Sequence, residues 1–387
     1  MEALDKQAFK EKFINPFEQT FFFQLNEKFP RIYFALQLFI AVIGIAFLLL
    51  FPYFVITLPT ELYDSVISAN GLKDWIDVAI LFTLIVIGAI FSWAIYKLKF
   101  TVPTGVEVTE VKFPHLIKLI TELRGEYGDP KISRIIIRDK YDIHVIKTPH
   151  SGMPFLNTCT LVIGLPVLLT MSPLYFRALL ARRIGQLSTK HTPITTRLYF
   201  LNDIWQQFKD SCRHSKNIPS KILAYFFKIY TPLYQKSMMP LLQKEELEAD
   251  SYGMDLVNSH DMVECIVYEE VVTHFLQAKF WPKIYHMAKR SKTPEYLPYS
   301  QMTKVIKMGI TNDEISETIQ AALKSELSKP SIKPSLPKRL NHLGHAKPLA
   351  PKRLKESAAD YYLGKTQQQI IELFDKRWIK KLHAKRT

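Results

Sequence analysis

The sequence predicts a mainly α-helical protein with a small β-sheet, carried behind an N-terminal hairpin of two membrane-spanning helices. Three observations lead there. Two long runs near the N-terminus carry no charge, three short β-branched runs cluster between Ser133 and Ile163, and most of the remaining chain has helical apolar periodicity. With 387 residues the chain is long enough for an anchor plus one large domain.

The uncharged runs are Tyr33–Leu58 and Val78–Tyr96, rich in Ile, Leu, Val and Phe. Each can cross roughly 30 Å of hydrocarbon as a helix. Globular core helices seldom run so far without a polar face. The first run lies behind a polar segment carrying both charge signs, which reads as a retained anchor rather than a cleaved leader. Lys28 and Arg31 precede the first span and Lys97 and Lys99 follow the second, whereas the loop between them has Lys73 against Glu61, Asp64, Asp74 and Asp77. The positive-inside rule then puts both termini in the cytoplasm. The division expected is a cytoplasmic segment over 1–32, a hairpin over 33–97 and a cytoplasmic domain over 100–387.

Phe100–Val111 reads as a link, and Pro114–Tyr127 as a helix with Leu116, Ile117, Leu119 and Ile120 on one face. Strands are expected at Ser133–Arg138, Ile143–Lys147 and Thr158–Ile163, where β-branched residues dominate between turn formers. Leu165–Met171 is apolar but too short to span a membrane. Ser172-Pro173 supplies an N-cap and first-turn pair for the next helix. Helix is expected from Asp203 to Asp250, broken at Asn217–Pro219 and Pro232, and again from Met262 to Lys279. Pro294–Pro337 reads as loose chain, and Ala358–Lys381 as a final basic helix.

The net charge is +15. Its cations are scattered and concentrate towards the tail, with no nucleic-acid-binding motif beside them, so the expected partner is an anionic bilayer surface and not a nucleic acid. Cys159, Cys212 and Cys265 are widely spaced, which fits a reducing compartment and excludes a disulfide framework.

The stretch Leu180–His191 has the frame of an H-E-x-x-H helix, in which histidines at i and i+4 reach one zinc ion and the glutamate serves as general base. Here those positions are Arg182, Arg183 and Gln186. Glu246-Leu247-Glu248-Ala249-Asp250 follows, with its two outer acids on one helix face. With Leu161–Pro166, Leu174–Ala181, Phe280–Tyr285 and Ser335–Leu340, these blocks resemble, in order, the membrane-bound zinc metallopeptidases that include the HtpX-like proteases and the CAAX prenyl endopeptidases. The resemblance covers most of the chain after the hairpin. It implies a gluzincin-type domain over 100–387 in a bacterial cytoplasmic (inner) membrane. It makes Glu246 the vestigial third zinc-ligand position, with Asp250 and Arg339 behind it and Lys333 where the family carries histidine.

The substitutions point away from the family's reaction. A guanidinium has no lone pair for a metal, Arg183 cannot take a proton from water, and Gln186 is at best a weak oxygen ligand. No cofactor is therefore expected, although the resembled family uses zinc. Two arrangements of the arginines are open: pairing with Glu246 and Asp250 where the ion would have joined the helices, or projection to solvent.

The expected function is a catalytically inactive scaffold or regulator that binds a peptide or membrane protein, with an oligomer possible. The alternative is an active zinc endopeptidase with a different ligand set. Other candidates are weaker. His144, His150, His274 and His286 are isolated, His191 reads as scaffold, and His342 with His345 sits among cations. Cys159 with His150 could be imagined as a nucleophilic pair. Tyr225–Tyr230 with Tyr234 reads as packing or as a peptide groove.

Overall fold

The computed structural model describes residues 16–188, 194–214, 217–290, 296–324 and 332–384. It is mainly helical with one mixed four-stranded sheet and two long apolar helices near the N-terminus. His191 lies outside the described residues.

The described chain runs α1 (Pro16–Lys28), α2 (Pro30–Ser68), α3 (Leu72–Tyr96), β1 (Val106–Glu107), α4 (Pro114–Glu126), β2 (Arg134–Arg138), β3 (Ile143–His150) and β4 (Met153–Gly164). It continues through α5 (Leu165–Thr170), α6 (Pro173–Gly185), α7 (Ile194–His214), α8 (Ile218–Val257) and α9 (Ser259–Phe275). A π-helical turn (Leu276–Phe280) leads into α10 (Trp281–Arg290), α11 (Pro298–Gly309), α12 (Asn312–Lys324) and α13 (Leu336–His342). The described chain ends with α14 (Ala358–Tyr362), a 3₁₀ turn (Gly364–Thr366) and α15 (Gln367–Ala384).

Two compact units result. The first takes the chain up to Val102, Lys147–Thr158 and Ile194–Leu242, so its apolar hairpin is accompanied by segments from much later in the sequence. Within it α2 and α3 pack closely at Gly88, where an added Cβ would stand 2.9 Å from the Phe51 carbonyl. Phe51 stacks on Phe91. The first part of α8 packs on α2 by a ring stack of Phe226 on Phe47, and the Tyr230 hydroxyl donates to the Ile40 carbonyl at 2.9 Å. Small residues permit such approaches between apolar helices. A Cβ at Gly44 would lie 2.4 Å from the Tyr230 hydroxyl. Trp205 of α7 fills the space among Phe227, Tyr230 and Tyr234. Within the aromatic run of α8, Phe227, Tyr230 and Tyr234 are packed, Phe227 and Tyr234 fully buried, whereas Tyr225 is exposed.

The second unit comprises Pro103–Ile146, Cys159–Pro193 and Gln243 onward. The sheet order is β1-β2-β4-β3, antiparallel between β1 and β2 and parallel between β2 and β4, with Arg134 opposite Thr160 and Arg138 opposite Gly164. Ser151 and Gly152, both at positive φ, connect β3 to β4 in the manner of a tight hairpin turn. Ser172 caps α6 as its sequence implies, accepting from the Tyr175 amide at 3.3 Å with Pro173 in the first turn.

Several expectations are corrected. The link over Phe100–Val111 contains β1. Pro232 does not break α8, which passes through it and Pro240 over 40 residues. The stretch Pro294–Pro337 holds α11, α12 and the start of α13. Pro298 occupies the first turn of α11, where its missing N–H costs nothing. Thr311 and Glu314 form a reciprocal cap at the start of α12. The final helix is divided by Gly364, whose φ of +51° interrupts it before α15.

Candidate functional site

Four elements of the second unit bring charge to one buried place. α6 ends there with Arg182, Arg183 and its C-cap residue Gln186, and the last part of α8 contributes Glu246 and Asp250. α9 contributes Glu269 and Glu270, and α13 contributes Arg339. Glu246 and Asp250 share a helix face because they are one turn apart.

The guanidinium groups point inward and pair. Arg182 Nε lies 2.7 Å from Asp250 Oδ1, an ion pair without hydrogen-bond alignment, and its Nη2 is 3.4 Å from Glu246 Oε2. The Arg182 side chain is only 4% exposed and that of Asp250 is fully buried, so the solvent-facing arrangement is excluded for this residue. Arg183 Nη1 donates to Glu246 Oε1 at 2.7 Å and to Gln186 Oε1 at 3.0 Å, while its Nε donates to the Ile143 carbonyl at 2.9 Å. Gln186 in turn donates to the Glu245 carbonyl at 3.4 Å.

Arg339 closes the other side. It donates to both Asp250 oxygens, Nε to Oδ2 at 2.8 Å and Nη2 to Oδ1 at 2.9 Å, the fork geometry that makes arginine a strong carboxylate partner. Its Nη1 also donates to Glu269 Oε2 at 3.4 Å. Lys333 lies 3.9 Å from Glu269 and 3.3 Å from Glu270. Four cations, Arg182, Arg183, Lys333 and Arg339, therefore face four carboxylates, Glu246, Asp250, Glu269 and Glu270. Removal from water would cost each charge several kcal/mol if unpaired, so neutrality of the cluster is what makes its burial tolerable.

Titration follows the same balance. Desolvation alone would raise the Glu269 carboxyl, but Lys333, Arg339, Arg182 and Arg183 outweigh it and hold the group well below the usual range. Desolvation would lower Arg339, and Asp250, Glu269 and Glu246 raise it instead. Burial pushes the Cys265 thiol far up, which makes it a poor nucleophile. Nearby, Asp142 loses solvation but is held at about 2 by hydrogen bonds and charge from His144 and Arg138.

The donor set does not fit zinc. Arg182 and Arg183 offer no lone pair, and both Glu246 oxygens are within 3.4 Å of a guanidinium nitrogen. Among the described residues no group of three or more His, Cys, Asp or Glu is arranged to hold a metal ion. The remaining candidates are dispersed. His144 sits 3.5 Å from Asp142, His150 contacts the Thr158 hydroxyl, and His274 meets Thr318. His342 and His345 engage Ser251 and Ser259 separately, and His286 is exposed. Cys159 is buried.

Beside the network opens a cavity of about 990 Å³. Arg182, Arg183, Glu269 and Lys333 form one part of its wall, and Trp281, Tyr285, Tyr299 and Trp378 form an aromatic part. The π-turn after α9 places Leu276 and Gln277 on the same wall. Such turns within helices often mark functional positions. Glu269 and Glu270 escaped the sequence reading. Their signal was a pair of acids inside the apolar run Cys265–Phe275, a place where charge needs partners.

No family model, curated protein or solved structure matches the chain.

Proposed function

We propose that this protein is a membrane-anchored member of the zinc-metallopeptidase fold family whose second unit binds a peptide or a segment of another membrane protein without hydrolysing it. The observation that carries the reading is the seating of the Arg182 and Arg183 guanidinium groups on Asp250 and Glu246, at the positions where the resembled family would hold its metal donors. A site joined by ion pairs keeps α6 and α8 together but offers neither a Lewis acid nor a base to activate water. The aromatic-walled cavity beside it supplies a binding volume of the size ligand sites require. The two apolar helices act as membrane spans, with both termini in the cytoplasm of a bacterial cell.

The reading is tested by zinc analysis of the full chain purified in detergent, compared with the combined variant Arg182→His, Arg183→Glu and Gln186→His. The wild type should hold no stoichiometric zinc and the variant should gain one ion per chain. Tight wild-type zinc that is lost in Glu246→Ala would overturn the inactive assignment. A variant that gains none would overturn the assignment of these positions to a former metal site.

A further inference from the structure

We infer that the cavity beside the buried network selects an acidic peptide segment. Lys140 and Lys381 take a side-chain carboxylate at its rim, and Trp281, Tyr285 and Trp378 take an adjoining apolar side chain. This rests on reading the cavity as a binding site, and it names the class of ligand. Deep in the wall the charges are matched: Arg182 and Arg183 sit on Asp250 and Glu246, and Lys333 pairs with Glu269 and Glu270. Asp142, also on the wall, takes Arg138 Nε at 3.2 Å and Nη2 at 2.5 Å.

What remains is the rim, formed by the β2–β3 turn with Asp139 and Lys140 and by the end of α15 with Lys381. Lys381 pairs with Asp139. Lys140 is exposed and, among the described residues, pairs with no carboxylate. Two ammonium groups thus share one carboxylate, and an acid from outside completes the set. Exposure decides where that acid goes. The Lys381 and Asp139 side chains are 65 and 35% exposed, and such pairs are weak, so a ligand can enter beside Asp139 or take its place while the fold stands. The buried guanidinium groups cannot be drawn away from Asp250 and Glu246 at so small a cost. A net charge of +15 draws anionic segments towards the protein in the first place.

The rest of the wall suits a peptide. The Trp281 and Tyr285 rings lie 6.0 Å apart and the Tyr285 and Trp378 rings 6.2 Å, which makes one continuous apolar face. Thr273 and Gln277 add neutral donors and acceptors to the same wall, as a peptide main chain requires. The lysines are held in place relative to the rings. The Tyr299 hydroxyl donates to the Asp139 carbonyl at 3.3 Å, and the Asp375 carboxylate accepts from the Tyr299 and Ser300 amides at 2.9 and 3.1 Å, fixing α15 on α11. A site held in this way loses little freedom when it is filled. Its volume of about 990 Å³ stands at the upper end of ligand sites and accommodates more than one side chain.

The test uses the full chain in detergent and three end-blocked, rhodamine-labelled peptides, Gly-Phe-Glu-Phe-Gly and its Gln and Lys counterparts, followed by fluorescence anisotropy at fixed ionic strength. The Glu peptide should bind at least tenfold more tightly than the Lys peptide, with the Gln peptide between them. Lys140→Glu combined with Lys381→Gln should abolish that preference. Lys376→Glu, on an exposed position of α15 outside the cavity wall, should leave it in place. Equal affinities for the three peptides would overturn the inference and leave the binding reading intact. So would a preference that survives the double variant, or one that Lys376→Glu abolishes equally. Binding of none of the three at millimolar concentration would overturn both.

Discussion

Asp250→Asn is the sharpest probe of the buried network. The carboxylate is fully buried and lies between Arg182 and Arg339, with contacts of 2.7, 2.8 and 2.9 Å. Asparagine keeps the shape but removes the charge, and it turns an amide N–H₂ towards two guanidinium groups that can only donate. Breaking a buried pair by neutralising one partner costs about 3–5 kcal/mol, because the remaining charge stays desolvated. At roughly 2–4 °C per kcal/mol for a body of 150–250 residues, the thermal midpoint should fall by about 6–20 °C. The control is Glu248→Gln on the same helix, whose carboxylate is 40% exposed and 3.7 Å from Lys244. Pairs of that kind contribute about 0.3–0.5 kcal/mol. Both variants would be followed by circular dichroism during heating in detergent. A midpoint for Asp250→Asn that drops no further than the control would refute the claim that paired charge holds α6, α8 and α13 together.

Acid should weaken the same network. The Glu269 carboxyl is held below its ordinary value in the folded chain, so the stability it contributes is complete above the unfolded carboxylate value of about 4.3 and is lost as pH falls towards the folded one. Thermal midpoints measured from neutral pH downwards should therefore decline below about pH 5, and Glu269→Gln should flatten that decline. An unchanged slope in the variant would assign the acid sensitivity elsewhere. The α6–α8 contact has a steric test as well. A Cβ at Gly185 would lie 2.4 Å from the Tyr252 ring, so Gly185→Ala should cost about 1–3 kcal/mol by overpacking, read as a lowered denaturant midpoint.

Much of the site was legible because its parts obey local rules. Glu246 and Asp250 are one turn apart on a helix, and two arginines near the end of another helix supply the charge that buried carboxylates require. What the sequence could not give was the partition among partners. Arg182 turns to Asp250, Arg183 to Glu246 and the Ile143 carbonyl, and Arg339 takes the bidentate place, distinctions set by tertiary packing alone. The hairpin was legible from uncharged length. The exposed apolar face of α8 with Ile218, Ile222, Tyr225, Ile229 and Leu233 was not, since Lys221, Lys228 and Lys236 interrupt its hydropathy and only the contacts with α2 show which face is covered. Prolines misled in both directions. Pro232 lies inside a helix that tolerates it, whereas Pro298 begins a helix within a proline-punctuated stretch.

Arg182, Arg183 and Gln186 are, on the proposed ancestry, to be weighed together with Glu269. On the proposed ancestry, two neutral imidazoles, a glutamate and a divalent ion would sum to one positive charge at this place. Two guanidinium groups and an amide sum to two. Glu246 and Asp250 are common to both arrangements, so the exchange leaves one positive charge to be met. In this chain Glu269 offsets such a charge, lying 3.7 Å from Arg182 and 3.4 Å from Arg339, and Glu270 lies 3.3 Å from Lys333. A single arginine introduced into an intact metal site would instead set a cation against a cation within one helix turn. The network is a set of mutually dependent pairs, in which each charge stays buried only while its partner is present. Its cost of dismantling therefore falls on the carboxylates that remain, Glu269 among them.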